Sequence, residues 1–224
     1  MKTCSICERR KFLLQATMGT AAFFTTKGAF AEALRVTAAQ GEGPFYPDKL
    51  PLDTDNDLLL INDAITPAVG EVSHLTGKVT DIKGNPLRNA VVKIWQCDAK
   101  GIYIHSQGGS REKLDKNFQG FGQFSTNLKG EYYFRCIKPV PYTGRPPHIH
   151  VAVERGGKRL LTTQLYIRGE KSNARDGLFN AAKTKEAKET LLVDFNPLKG
   201  SKTGELAANF DIVLGLTPNE DTIG

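Results

Sequence analysis

The runs HIHVAVER (148–155) and KRLLTTQLYIR (158–168), joined by Gly156-Gly157, constrain the fold more than any other stretch of this chain. Both are rich in β-branched and aliphatic residues. Two adjacent glycines supply the positive φ values that a two-residue hairpin turn demands. A β-hairpin is therefore expected over 148–168.

Comparable runs recur on both sides. HLTGKVTDI (74–82) leads into a turn at Lys83-Gly84-Asn85-Pro86. AVVKIWQCD (90–98) sets Val91, Lys93 and Trp95 against Val92, Ile94 and Gln96, the period-two alternation of a strand. GIYIH (101–105) reads as a short strand. GQFSTN (122–127) and GEYYFRCI (130–137) flank Leu128-Lys129 in a hairpin-like arrangement. LLVDF (191–195) and LAANFDIVLG (206–215) close the series, and LFNAAKTKEAKET (178–190) is the one helix candidate. Short strands with turns roughly every 8–12 residues point to an all-β fold, an antiparallel β-sandwich with little helix. GGSREKLDKNFQG (108–120), KPVPYTGRPP (138–147) and an irregular arm over 32–72 would be long loops on that scaffold, where sites tend to be built. The sandwich itself is expected over 73–224.

The formal charge of +6 is unevenly placed. Residues 1–31 hold Lys2, Arg9, Arg10, Lys11 and Lys27 against Glu8, which leaves 25 basic and 23 acidic residues beyond them. A nearly neutral remainder gives no electrostatic case for nucleic-acid binding. The first 31 residues have a charged front with adjacent arginines, a weakly apolar middle and Ala29-Phe30-Ala31, a small-x-small cleavage pattern. ERRKFLL resembles a bacterial twin-arginine export signal. The expectation is a signal peptide over 1–31 and an exported protein, periplasmic or extracellular. No apolar run reaches membrane-spanning length. Cys4 and Cys7 fall in the leader; Cys97 and Cys136 could equally form a disulfide or remain two buried thiols.

YTGRPPHIHV (142–151) carries the chemistry. On a strand, His148 and His150 point to one face and can converge on one transition metal. Pro146 and Pro147 stiffen the approach. A His-x-His pair alone fits two half-buried histidines bonded to backbone just as well. Spacing does not choose among the further donors: His74, His105, Cys97, Cys136, Glu154 and the tyrosines.

A resemblance does. GEGPFYPD, GKVTDIKGNPLRNAVVKIWQCDAKGIYIH, FQGFGQFSTNLKGEYYFRCIKPVPYTGRPPHIHV and LLTTQLYI, in that order over about 41–170, resemble the intradiol ring-cleavage dioxygenases, the family of catechol 1,2- and protocatechuate 3,4-dioxygenases. The resemblance implies a non-haem Fe(III) held by Tyr103, Tyr142, His148 and His150. It implies that Arg145 stabilises negative charge on the substrate ring, that Tyr142 leaves the metal as substrate binds, and that Gln164 lines the substrate side. The implied partners are a small aromatic diol and O2, and the implied product is a cis,cis-muconate-type diacid. His105 is not a ligand in that pattern, and Trp95 reads as core. The second proline of Arg-Pro-Pro-His and Cys136 depart from the usual pattern without removing a ligand. The resemblance does not extend to the N-terminal helical region of the catechol-type dimers, which is not expected here.

Two other readings compete. His148-x-His150 with Glu154 fits a cupin-like metal site, although no histidine follows His150. A non-catalytic transthyretin-like or carbohydrate-binding β-sandwich shares the fold. A proline-rich arm and exposed strand edges permit homo-oligomers without requiring them.

Overall fold

The computed structural model describes residues 34–62 and 65–215. The segment 1–31, where a twin-arginine signal peptide is expected, lies outside the described residues together with Cys4 and Cys7. Among the described residues ten strands run in the order β1 (Val72–Asp81), β2 (Val91–Trp95), β3 (Phe121–Ser125), β4 (Glu131–Ile137), β5 (His148–Arg155), β6 (Lys158–Ile167), β7 (Leu192–Val193), β8 (Phe195–Pro197), β9 (Leu206–Asn209) and β10 (Ile212–Leu214). A 3-10 turn (Lys171–Arg175) and two one-turn helices, α1 (Gly177–Ala181) and α2 (Lys185–Glu189), lie between β6 and β7. Among the described residues, no helix is long and apolar enough to cross a membrane.

The strands form two five-stranded sheets. In the first, β1 pairs antiparallel with β4 and parallel with β9 and β10, and β8 joins β9. The second runs β3-β2-β5-β6-β7. Between them Leu75, Val79, Phe134 and Cys136 of the first sheet pack on Val92, Ile94, Ile149, Val151, Val153 and Leu165 of the second, all essentially buried. Each such side chain contributes about 1.5–3 kcal/mol of transfer free energy. This is the expected two-sheet sandwich, although its sheets are mixed rather than purely antiparallel, with parallel pairs at β9, β10 and β7.

Alternation then sends Trp95, His148, His150 and Ala152 to the other face of the second sheet. That face is also covered: every residue from His148 to Val153 is buried. Trp95, Cys97, Tyr103, Phe121 and Ala152 form a separate cluster there, against Phe45, Tyr46, Val140 and Tyr142. A third cluster, Tyr166, Phe179, Ala182 and Leu191, lies under the helical turns.

The 148–168 hairpin forms as expected, with Arg155 opposite Lys158 and Gly156 and Gly157 at φ 55° and 73°. Four expectations need correction. GIYIH is not a strand: it belongs to a loop organised by the Asp98 carboxylate, which accepts from the N–H groups of Lys100, Ile102 and Asp115 at 2.8–2.9 Å. Asn127 to Gly130 does turn the chain, but β3 pairs with β2 and β4 with β1. The turn is a corner between sheets, not a hairpin. The helix expected over 178–190 is two short ones, because Ala182 is extended (ψ 102°) and Thr184 starts the second as an N-cap, accepting from Ala187 N–H at 3.1 Å. LLVDF likewise splits at Asp194, β7 joining one sheet and β8 the other.

Both Cys97 and Cys136 are buried free thiols. Burial, with Asp98 beside Cys97 and Asp57 beside Cys136, pushes each thiol up to about 12. Alkylation of the folded chain at mildly alkaline pH should therefore leave both unmodified, and denaturant should expose both, as read by peptide mass mapping. Gly77, in the middle of β1, is needed for close approach: a Cβ there would meet the Phe210 carbonyl and lie 2.6 Å from the Tyr132 hydroxyl. Gly77→Ala should cost about 1–3 kcal/mol in denaturant unfolding, the range for overpacking.

Candidate active site

The site is built from three segments: β5, the loop after β2 that carries Tyr103, and the turn at 142–145. Residues i and i+2 of β5 bring His148 Nε2 within 3.2 Å of His150 Nε2. Trp95, directly across the β2–β5 ladder, stacks flat on the His150 ring at 4.8 Å and 10°. Tyr103 places its hydroxyl 3.1 Å from His150 Nε2. The Tyr142 ring lies edge-on to Tyr103 at 5.0 Å and 5.4 Å from the His148 ring. Tyr103, Tyr142, His148 and His150 thus meet at one place.

Local backbone explains the meeting. Gly101 (φ 76°) turns the loop back beneath Pro141 and Tyr142. Thr143 and Gly144 (φ 30° and 80°) reverse the next turn, which is closed by a bond from Arg145 N–H to the Tyr142 carbonyl at 2.7 Å. The N-terminal arm roofs the cluster. Phe45 stacks on Tyr103 at 5.1 Å and meets Tyr142 edge-on, and Gly43 sits where a Cβ would be 3.2 Å from His150 Cε1.

The protonation states follow from burial. His148 donates from Nδ1 to the Pro146 carbonyl at 2.6 Å; a carbonyl only accepts, so the lone pair lies on Nε2, toward the cluster. Desolvation, aided by Arg145, holds His148 down at about 4; desolvation, His148 and Arg145 hold His150 well below the ordinary range. Burial, Cys97 and Tyr142 push the Tyr103 phenol well up; burial raises Tyr142 while Arg145 opposes it. Without a cation the cluster is therefore two neutral imidazoles and two neutral phenols.

These donors fit a ferric ion. The set is N2O2, with phenols able to become hard anionic ligands beside a trivalent cation. The His148 tautomer already offers Nε2 and anchors Nδ1 on backbone, as metal-bound histidines do. The His150 Nδ1 is buried with no hydrogen-bond partner, so that ring is held by its stacking on Trp95 and by the contacts of Nε2 with His148 and Tyr103, on the side that faces the other donors. Among the described residues no three His, Cys, Asp or Glu side chains gather as a metal cluster, so the tyrosines are essential to any such site.

Arg145 and Gln164 stand at its edge. Arg145 Nη2 donates to Gln164 Oε1 at 2.9 Å, and Gln164 Nε2 donates to the Gly41 carbonyl at 3.1 Å, tying β6 to the arm. The arginine also lies close enough to Tyr142 that its charge opposes the rise burial gives that phenol. His105 is elsewhere occupied, its Nδ1 accepting from Gln107 N–H at 3.0 Å. Glu154, the third member of a cupin-like pattern, is taken by Lys93 at 2.5 Å and Arg159 at 2.8 Å. Sequence reasoning missed Asp176, which grips Arg145, and Tyr166, whose hydroxyl touches Gln164, Gln40 and Asp176. Asp176-Gly177-Leu178-Phe179 carries a visible N-cap signal, but nothing local links it to an arginine 31 residues away.

Comparison with known proteins agrees with this geometry. A family model described as Dioxygenase matches residues 41–215. The protocatechuate 3,4-dioxygenase beta chain of Burkholderia cepacia is 36% identical over 176 residues, 73% of this chain and 72% of that one. The catechol 1,2-dioxygenase of Candida albicans is 34% identical over 142 residues, 55% of this chain and 45% of that one. The chain spans about half the length of that enzyme and of the hydroxyquinol 1,2-dioxygenase of Corynebacterium glutamicum. Among solved structures, the dioxygenase domain of a dioxygenase carbohydrate-binding protein fusion from Streptomyces sp. SirexAA-E superposes with a TM-score of 0.61 at 28% identity, covering 82% of this chain and 100% of that one. On these grounds the chain belongs to the intradiol ring-cleavage dioxygenase family, a family of oxidoreductases.

Proposed function

We propose that this chain opens the ring of an aromatic vicinal diol between its two hydroxyl-bearing carbons, using O2 and a non-haem Fe(III) held by Tyr103, Tyr142, His148 and His150, to give a cis,cis-muconate-type diacid. The convergence of four donors from three segments, beside one arginine, carries the reading. The related enzymes act on protocatechuate, catechol and hydroxyquinol by name, and a vicinal diol is what those three share. Bound here, ferric iron would bring both diol oxygens to one centre and draw electron density from the ring, making it reactive toward O2.

The protein's part divides among few side chains. Tyr103 is buried and enclosed by Phe45 and Tyr142, so it stays fixed. Tyr142 is only half-buried, on a turn. It is the side chain that can swing out, and where a bound cation has made it a phenolate its Oη would take up a substrate proton as it goes. Arg145, beside Tyr142, sets fixed positive charge where negative charge would develop on the ring. Gln164 has its carbonyl oxygen committed to Arg145 and Tyr166, so its donation to substrate would come from Nε2. Trp95, Phe45 and the arm keep water from the buried side.

Purified, iron-loaded protein should be reddish, because phenolate–ferric charge transfer absorbs visible light. Incubated with catechol, protocatechuate or hydroxyquinol under air, it should give an intradiol diacid from at least one of them, read by mass spectrometry. Tyr103→Phe and His148→Ala should lose iron. Arg145→Ala should keep the colour and turn over about 10²–10³-fold more slowly, the cost of removing one preorganised charge. A colourless iron-loaded sample, or extradiol products only, overturns the reading.

A further inference from the structure

We propose that Asp176 is a positioning residue for Arg145: it holds the guanidinium from behind and so aims the arginine at Tyr142 and the diol. The inference rests on the functional reading above and assigns it a further residue. The carboxylate grips the guanidinium at two points, Oδ2 receiving Nε and Oδ1 receiving Nη2 at 3.3 Å. Such a two-point charged pair fixes a plane and a direction, which a single hydrogen bond does not.

Asp176 is itself immobilised. Its side chain is 1% exposed, and Oδ1 also accepts the Phe179 N–H at 2.7 Å and the Tyr166 hydroxyl at 3.3 Å. Burial alone would raise this carboxyl, but the bonds from Arg145 and Phe179 N–H outweigh it and hold the carboxyl below its ordinary range. It is therefore a carboxylate with a fixed orientation, on a segment anchored to β6 through the Asn173 side-chain bond to the Ile167 carbonyl at 2.9 Å.

The arginine needs that support. Arg145 follows Thr143 and Gly144 in a reversed turn, and a Cβ at Gly144 would meet nothing within 4 Å, so the turn's outer side is unpacked. With Asp176 neutralised, only the neutral acceptors Gln164 and Tyr166 would hold Nη2, at 2.9 and 3.2 Å. A buried ion pair contributes little net stability over apolar packing, because desolvation offsets its attraction. What this pair supplies is direction, and a misplacement of about 1 Å at a charge-stabilising group can cost on the order of 10²-fold in rate.

Asp176→Asn separates the roles. Asparagine is isosteric and caps a helix as well as aspartate, so the Phe179 bond survives while the charged grip is lost. We expect iron content and melting temperature close to those of the unaltered chain, KM within about threefold, and kcat lower by on the order of 10–100-fold. On an Arg145→Ala background the same change should remove less than about twofold more, because the two residues act as one unit. In the iron-free protein, the Arg145 Nε–H signal in NMR should exchange faster with water. Unchanged kcat in Asp176→Asn, or a full further loss on the Arg145→Ala background, overturns the proposal. A lowered melting temperature with normal kcat overturns it too, leaving Asp176 as a helix cap alone. If the unaltered chain cleaves no vicinal diol, the functional reading fails instead, and unchanged Nε–H exchange would then separately disprove the grip.

Discussion

The row Trp95–His150–Gln164, one residue from each of β2, β5 and β6, is what the rest of the site depends on. Backbone pairing on both sides of β5 sets it: His150 lies opposite Trp95 on one ladder and opposite Gln164 on the other. Strand side chains alternate with a period of two, so a slip of one residue would send both histidines into the sandwich core and Ile149 out among the phenols. The interleaved Ile149, Val151 and Val153, buried to within 1%, make that slip prohibitively costly. The hydrophobic core thus selects the register, and the register aims the imidazoles. Nothing in the donor cluster has to provide its own alignment along β5.

How much of this could be read from the sequence depends on the range of the interaction. The 148–168 hairpin was legible because its cause is local: two glycines at positive φ between alternating runs. The same-face histidines followed from the same periodicity. The tyrosines were legible only through family resemblance, since neither lies in a strand and each is placed by a glycine reversal at Gly101 or Gly144. The GIYIH error has a specific source. Ile102, Tyr103 and Ile104 have strand-like propensity, but Asp98 satisfies the surrounding N–H groups itself, so no ladder is needed. Asx chemistry outcompeted pattern.

The corner at Asn127–Gly130 makes a related point. A tight turn and two alternating runs are the signature of a hairpin, yet β1 and β2 capture the two arms separately. Turn residues fix where a chain reverses; sheet membership is decided by long-range burial of Phe121 and Phe134 in different clusters. Asp176 was invisible for the same reason. Its partner is set by how the segment after β6 folds back on the sheet, which no residue near it announces.

Charge placement ties these levels together. Four neutral donors face one another in a site from which water is largely excluded, an arrangement in which a lone-pair-rich centre gains much from a cation. The positive charge of Arg145 acts on that centre from one side, and its field contributes to keeping both imidazoles unprotonated. On its far side the same guanidinium is neutralised by Asp176, a carboxylate held in turn by a backbone N–H and a phenol. An arginine balanced from behind presents its charge in one direction only. It can stabilise an anion that forms in front of it without adding net charge to the buried interior, which a free guanidinium at the same place would do.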